Sequence, residues 1–177
     1  MQKLCLFACL LMFTLILSSC GDDDVGNFTA EGVRPVYIQP EEATVITSLP
    51  AQPIGQLGKI YYKDNLIYVG EQGEGVHIID NTDPFSPERI GFIRIPGNID
   101  IVIKGNYLYG DNYRDLITLD ITDVNNVQEV GRVADVYPEM PQTHPYFYSG
   151  YFECVDASKG FVMKWEPATL SNPDCFR

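Results

Sequence analysis

The chain writes one pattern twice. Lys63-Asp64-Asn65-Leu66-Ile67-Tyr68-Val69, a glycine-rich turn and Val76-His77-Ile78-Ile79-Asp80 form the first copy. Lys104-Gly105-Asn106-Tyr107-Leu108-Tyr109, a polar turn and Leu116-Ile117-Thr118-Leu119-Asp120 form the second, with one residue deleted in the intervening loop. The register continues, with Asp83 on Asp123 and Gly91 on Gly131. An apolar strand follows each glycine, at 92–95 and 132–136, and a further strand at 99–103 leads into the second copy. A fainter third copy runs Tyr151-Phe152-Glu153-Cys154-Val155, a turn over 156–160, then Phe161-Val162-Met163-Lys164-Trp165, with Gly160 on Gly75.

A pattern repeated in register restricts the fold to stacked copies of one small unit. A period of about 40 residues with about four short strands per unit is the mark of β-propeller blades. Helical repeats of similar length would show 3.6-residue spacing, which is missing here. An immunoglobulin-like sandwich has turns at similar spacing but no reason to repeat them in register. The many tyrosines, valines, isoleucines and glycines also favour strands and turns, and no helical pattern follows the first 20 residues. The expected fold is all-β, with β-propeller-like repeats of about 40 residues, two clear and a third partial. Propellers usually need at least four blades to close. Residues 34–57, with candidate strands at 36–38 and 45–48, supply only part of another, so the propeller is incomplete or short. Open edges favour association. A compact monomer capped by its own tail ranks first; self-association or a protein partner follows.

Asp80 and Asp120 each end an inner strand and open a tight connection, Asn-Thr-Asp-Pro in one copy and Ile-Thr-Asp-Val in the other. A carboxylate there accepts hydrogen bonds from N–H groups just ahead, and Asp83 and Asp123 can do the same for the next turn. Calcium is the functional alternative. No full ligand set accompanies these pairs, so turn capping is preferred and no metal is expected. The two strand-and-aspartate segments resemble the LVIVD repeat family, with His77 and Thr118 as departures. The resemblance covers 58 to about 136 well and the third copy loosely. It implies propeller-like blades in a bacterial surface or secreted protein, and little about chemistry.

The N-terminus points to the same compartment. Residues 1–19 place Lys3 before an apolar run too short to span a membrane, which reads as a secretory signal peptide. Leu17-Ser18-Ser19-Cys20 resembles a bacterial lipobox, which implies lipid attachment at Cys20 and cleavage before it. Two or more acyl chains make a stable anchor. Gly21-Asp22-Asp23-Asp24 is a solvated spacer and is similar to the surface-export signal of some Gram-negative lipoproteins. The expected division is a signal peptide at 1–19, a lipidated acidic tether at 20–33 and a repeat domain at 34–177, on the outer membrane and its outer face. Without residues 1–19 the chain is one unit more negative than the formal −12 of the whole. It has no basic cluster, which excludes a nucleic-acid partner.

Cys5 and Cys9 leave with the signal. Cys154 and Cys175 remain as an even pair in an oxidising compartment, either bridged or free. The two histidines, His77 and His144, lack ligand spacing to them. Gly70, Gly73 and Gly75 fit a hairpin, because no helix N-terminus follows to take a phosphate. His77 reads as packed or solvated, and His144 as part of an exposed loop. Glu71 and Glu74 are a chance pair among 24 acidic residues. The aromatic group Tyr146, Phe147, Tyr148, Tyr151, Phe152 and Trp165 reads first as packing and second as a platform for sugar or peptide. The expected function is a non-catalytic, lipid-anchored binding or assembly scaffold of the cell envelope, without cofactor. The alternatives are a carbohydrate-active enzyme and an accessory subunit of a surface nutrient-uptake complex.

Overall fold

The computed structural model describes residues 27–137, 143–146 and 148–177. The signal segment, Cys20, the acidic run and Phe147 lie outside the described residues. Strand β1 (Thr29–Ile38) comes first, then one helical turn, α1 (Pro40–Ala43), and the short β2 (Thr47–Leu49). β1 takes in Thr29 to Val33, which the sequence assigns to the tether, because they pair with a distant strand, Thr29 opposite Ser171. A single turn such as α1 leaves no periodicity to read. Pro40 suits its first turn, where a missing N–H costs nothing.

The first repeat folds as a meander of β3 (Leu57–Lys63), β4 (Leu66–Glu71), β5 (Gly75–Asp80) and β6 (Glu88–Arg94), with β2 added beyond β6. The second folds as β7 (Ile101–Lys104), β8 (Tyr107–Asn112), β9 (Asp115–Asp120) and β10 (Gln128–Val133). The matching hairpins close on Asp64-Asn65 and Gly105-Asn106. Asp64, Asn65 and Gly105 have positive φ (51°, 63° and 58°), which two-residue hairpin loops require. The repeated glycines also gain a reason. Gly91 and Gly131 each follow a bulged residue, Ile90 and Val130, where β6 and β10 slip past their partners.

The core lies between these two sheets. Val76, Ile78 and Ile93 from the first meet Leu108, Ile117 and Leu119 from the second, all fully buried. Each such side chain contributes about 1.5–3 kcal/mol by leaving water, so neither repeat keeps its core without the other.

The third sheet is built differently. It joins β12 (Phe161–Ser171), β1, β11 (Tyr151–Phe152) and β13 (Cys175–Phe176), in that order. The faint third copy therefore keeps its strand, turn, strand order but not its pairing, because β1 lies between β11 and β12. A short 3₁₀ turn, Ala157–Lys159, capped by Asp156, fills the connection. Cys154 and Cys175 are joined by a disulfide with their Cα atoms 5.4 Å apart. The fold is all-β with several open sheets, none closed into a ring.

Candidate binding cleft

The repeat aspartates sit at one end of the meanders. Thr82 N–H donates to Asp80 Oδ1 (2.8 Å) and Thr122 N–H to Asp120 Oδ1 (2.9 Å). Phe85 N–H donates to Asp83 Oδ1 and Asn125 N–H to Asp123 Oδ1, both at 3.0 Å. The hydroxyl and N–H of Thr82 hold Asp80 below the ordinary aspartate range, and Thr122 does the same for Asp120. Each of the four carboxylates gives its Oδ1 to its own turn. Among the described residues no group of three or more His, Cys, Asp or Glu is placed to hold a metal ion.

At the opposite end, where the β4–β5 and β8–β9 turns emerge, the three sheets meet around a cleft of about 200 Å³. The third sheet contributes Val33, Val162, Met163 and Trp165. The segment before β11 contributes Pro145, Tyr146 and Tyr148. The repeats contribute Gln72 and Gly73 from the β4–β5 turn, Gly97 and Ile99 from the β6–β7 link and Tyr113 from the β8–β9 turn. Two glycines let the walls approach. Gly73 (φ 80°) lies against the carbonyl of Met163, where a Cβ has no room, and a Cβ on Gly97 (φ 71°) would fall 2.6 Å from the Tyr113 ring.

The walls are fixed from behind. Phe152 meets Trp165 edge-on at 5.6 Å, and Phe161 packs on Tyr113 at 5.1 Å. Tyr148 OH donates to Tyr151 O (3.1 Å), and Arg177 Nη1 donates to Pro145 O (2.7 Å), so Tyr148 and Pro145 are each held from outside the cleft. The aromatic group thus divides. Tyr146, Tyr148 and Trp165 line the cleft, while Tyr151 packs between Phe28 and Phe176.

Asp111, Asn98 and Asn112, which the sequence does not single out, support the repeat side. Asp111 is buried and accepts from the N–H of Ile99 (2.9 Å), the N–H of Asp100 (2.7 Å) and Asn98 Nδ2 (3.2 Å). Burial pushes its carboxyl up to about 6, against the pull of those backbone hydrogen bonds. Asn112 Nδ2 donates to Ala43 O (2.8 Å) and Pro96 O (2.7 Å) and so ties α1 and the β6–β7 link to the second sheet. In the first sheet Glu71 Oε2 meets His77 Nε2 in a buried pair, and Glu71 Oε1 accepts from Gly55 N–H (2.7 Å) and Gln56 N–H (3.1 Å). Glu71 and Glu74 therefore go separate ways, since Glu74 pairs with Lys164 at the cleft. His77 is packed, fully buried against Phe92. His144 lines the cleft with its Nδ1 3.1 Å from the Thr143 hydroxyl.

Two buried side-chain atoms have no hydrogen-bond partner among the described residues: His77 Nδ1, away from the cleft lining, and the hydroxyl of Tyr113, which lines it. Tyr113 is 8% exposed. Burial pushes its phenol well above the ordinary tyrosine range, so it stays a neutral donor. Its backbone is left-handed (φ 55°), and no sequence motif marks it.

Residues 98–135 match the LVIVD repeat family, so the chain contains an LVIVD repeat. The matched stretch holds β7 to β10 and both capping aspartates of the second copy. The first repeat lies outside the match but shares its hairpin, turns and bulge. No curated protein and no solved structure matches the chain.

Proposed function

We propose that the protein is a non-catalytic binding module of the cell envelope, held by lipid on Cys20 at the outer face of the outer membrane, with its ligand in the three-sheet cleft. The observation that carries this reading is the cleft itself: a preformed, mostly apolar hollow with a few polar groups, the usual form of a small-molecule site. Its proton-carrying side chains favour binding over turnover. Lys164 is paired with Glu74, and His144 lies beside Thr143 with no carboxylate in hydrogen-bond reach among the described residues. Assembly is the second part of the reading. Edge strand β3 leaves Ile60 and Tyr62 66% and 62% exposed, a surface that suits a protein partner or a second copy.

Trp165 is the single tryptophan of the chain, so its emission reports the cleft directly. Titration of the lipidated chain with glycans, peptides and fatty acids is expected to give a saturable, one-to-one change with some class, and that ligand is recovered intact. New reducing ends or amino termini in the recovered material would replace binding with catalysis. A flat response to every class would remove the cleft as a seat. Labelled palmitate is expected to enter the chain and to be lost in Cys20→Ala; unchanged labelling would remove the anchor.

A further inference from the structure

We propose, resting on the binding reading above, that the cleft seats one neutral hexopyranose ring, either a free sugar or the end unit of a glycan. Trp165 and Tyr148 line the cleft, and aromatic side chains give apolar contact area at low entropic cost, which suits the C–H faces of a pyranose. The ligand must also be polar. Tyr113 lines the cleft, its buried hydroxyl has no partner among the described residues, and a hydrocarbon chain would leave it so. The side-chain amides of Gln56 and Gln72 line the same cleft and make no hydrogen bond among the described residues. Each offers both donors and an acceptor, the mixture that sugar hydroxyls need.

Charge and backbone exclude the rivals. Lys164, the one Lys or Arg in the cleft lining, is paired with Glu74, and the chain carries a formal −12, so an anionic sugar meets an unfavourable field; Arg94, which acts on Tyr113, lies outside the lining. A strand-added peptide needs a row of open N–H and C=O groups. Here Gly97 N–H donates to Gly73 O (2.8 Å) and Gly73 N–H to Asn98 O (2.6 Å). Pro145 and Pro167 have no N–H to offer, and the Pro145 carbonyl is taken by Arg177. Recognition falls to side chains around a small closed shape.

The test uses the lipidated full chain in a detergent without a sugar headgroup. Methyl glycosides of glucose, galactose and mannose are compared with methyl glucuronide, a proline-rich hexapeptide and dodecanoate, by Trp165 emission and by calorimetry. At least one neutral glycoside is expected to saturate at one site per chain, with the glucuronide about tenfold weaker. Tyr113→Phe removes only the hydroxyl. It is expected to weaken the glycoside about fivefold without lowering Tm, a split that a packing role for the ring does not produce. Saturation by the peptide or dodecanoate alone would overturn the sugar proposal and leave the binding reading standing. A Tyr113→Phe affinity equal to wild type would overturn the part assigned to that hydroxyl. No saturation by any of the six probes would overturn the sugar proposal and count against the cleft as a seat.

Discussion

In the repeat sheets each strand from β3 to β6, and from β7 to β10, pairs with its neighbour in sequence. In the third sheet Thr29 pairs with Ser171 and Gly32 with Tyr151. The first kind of contact is local and closes short loops; the second must bring the ends of the chain together. The repeats repeat what builds them: hairpin, bulge and aspartate turn. The cleft forms where the repeat stops, because only the third sheet and its approach supply Trp165, Met163 and Tyr148. The repeats supply one wall of the cleft and the third sheet with its approach the other, and the cleft and the aspartate turns sit at opposite ends of the meanders.

The largest effect should come from the shared core. Ile78→Ala in the first repeat or Leu119→Ala in the second is expected to cost about 3–4 kcal/mol in denaturant unfolding. Either should lower both repeats together in one transition. Two separate transitions would show that each sheet carries its own core.

The contrast with the third sheet sharpens next. Replacing Cys154 and Cys175 with Ser opens a loop of sequence separation 21 and should cost about 3 kcal/mol. Hydrogen-exchange protection is expected to fall first at 29–38 and 161–171 and to persist at 66–80 and 107–120. Equal loss everywhere would dissolve the contrast.

Asp111 gives a pH signature within the second repeat. Its folded pKa of about 6 lies above the unfolded 3.8. The folded chain therefore binds this proton more tightly, and its contribution is fully present below the unfolded value and lost as pH rises through about 6. The difference amounts to at most about 3 kcal/mol. Asp111→Asn should remove that part of the slope between pH 4 and 6, measured as wild type minus variant stability. An identical slope in both would place the titration elsewhere.

The smallest effect belongs to the turns. Asp80→Ala and Asp120→Ala should each lower Tm by only a few degrees and leave any cleft ligand unaffected. A loss of binding in either would give the aspartates a functional role.

Much of this frame was legible in the sequence because it is local. Strand, turn and aspartate recur in register, and a carboxylate bonding two residues ahead needs no knowledge of the fold. The pairing of β1 with β12 was not legible, since Thr29 to Val33 carry no pattern that names a partner so far along the chain. The cleft was half legible. The cluster around Tyr146 and Trp165 was visible as aromatic, but only tertiary contact separates Tyr151, which packs, from Tyr148, which lines the hollow. Tyr113, Gly97 and Asn98 were invisible because their roles come from neighbours in space. The Glu71–His77 pair had a signal: two polar residues on adjacent strands, six apart. Glu74 beside Glu71 is a chance neighbour, as the sequence suggests, and pairs with Lys164 instead.

Ligand should engage the junction of the three sheets and not the aspartate turns of the repeat. Amide chemical-shift mapping of the chain with a saturating cleft ligand tests this most directly. Shifts are expected at 72–73, 97–99, 113, 144–146, 148 and 162–167, with Asp80 to Asp83 and Asp120 to Asp123 unmoved. Shifts centred on the aspartate turns, with the Trp165 neighbourhood silent, would contradict it.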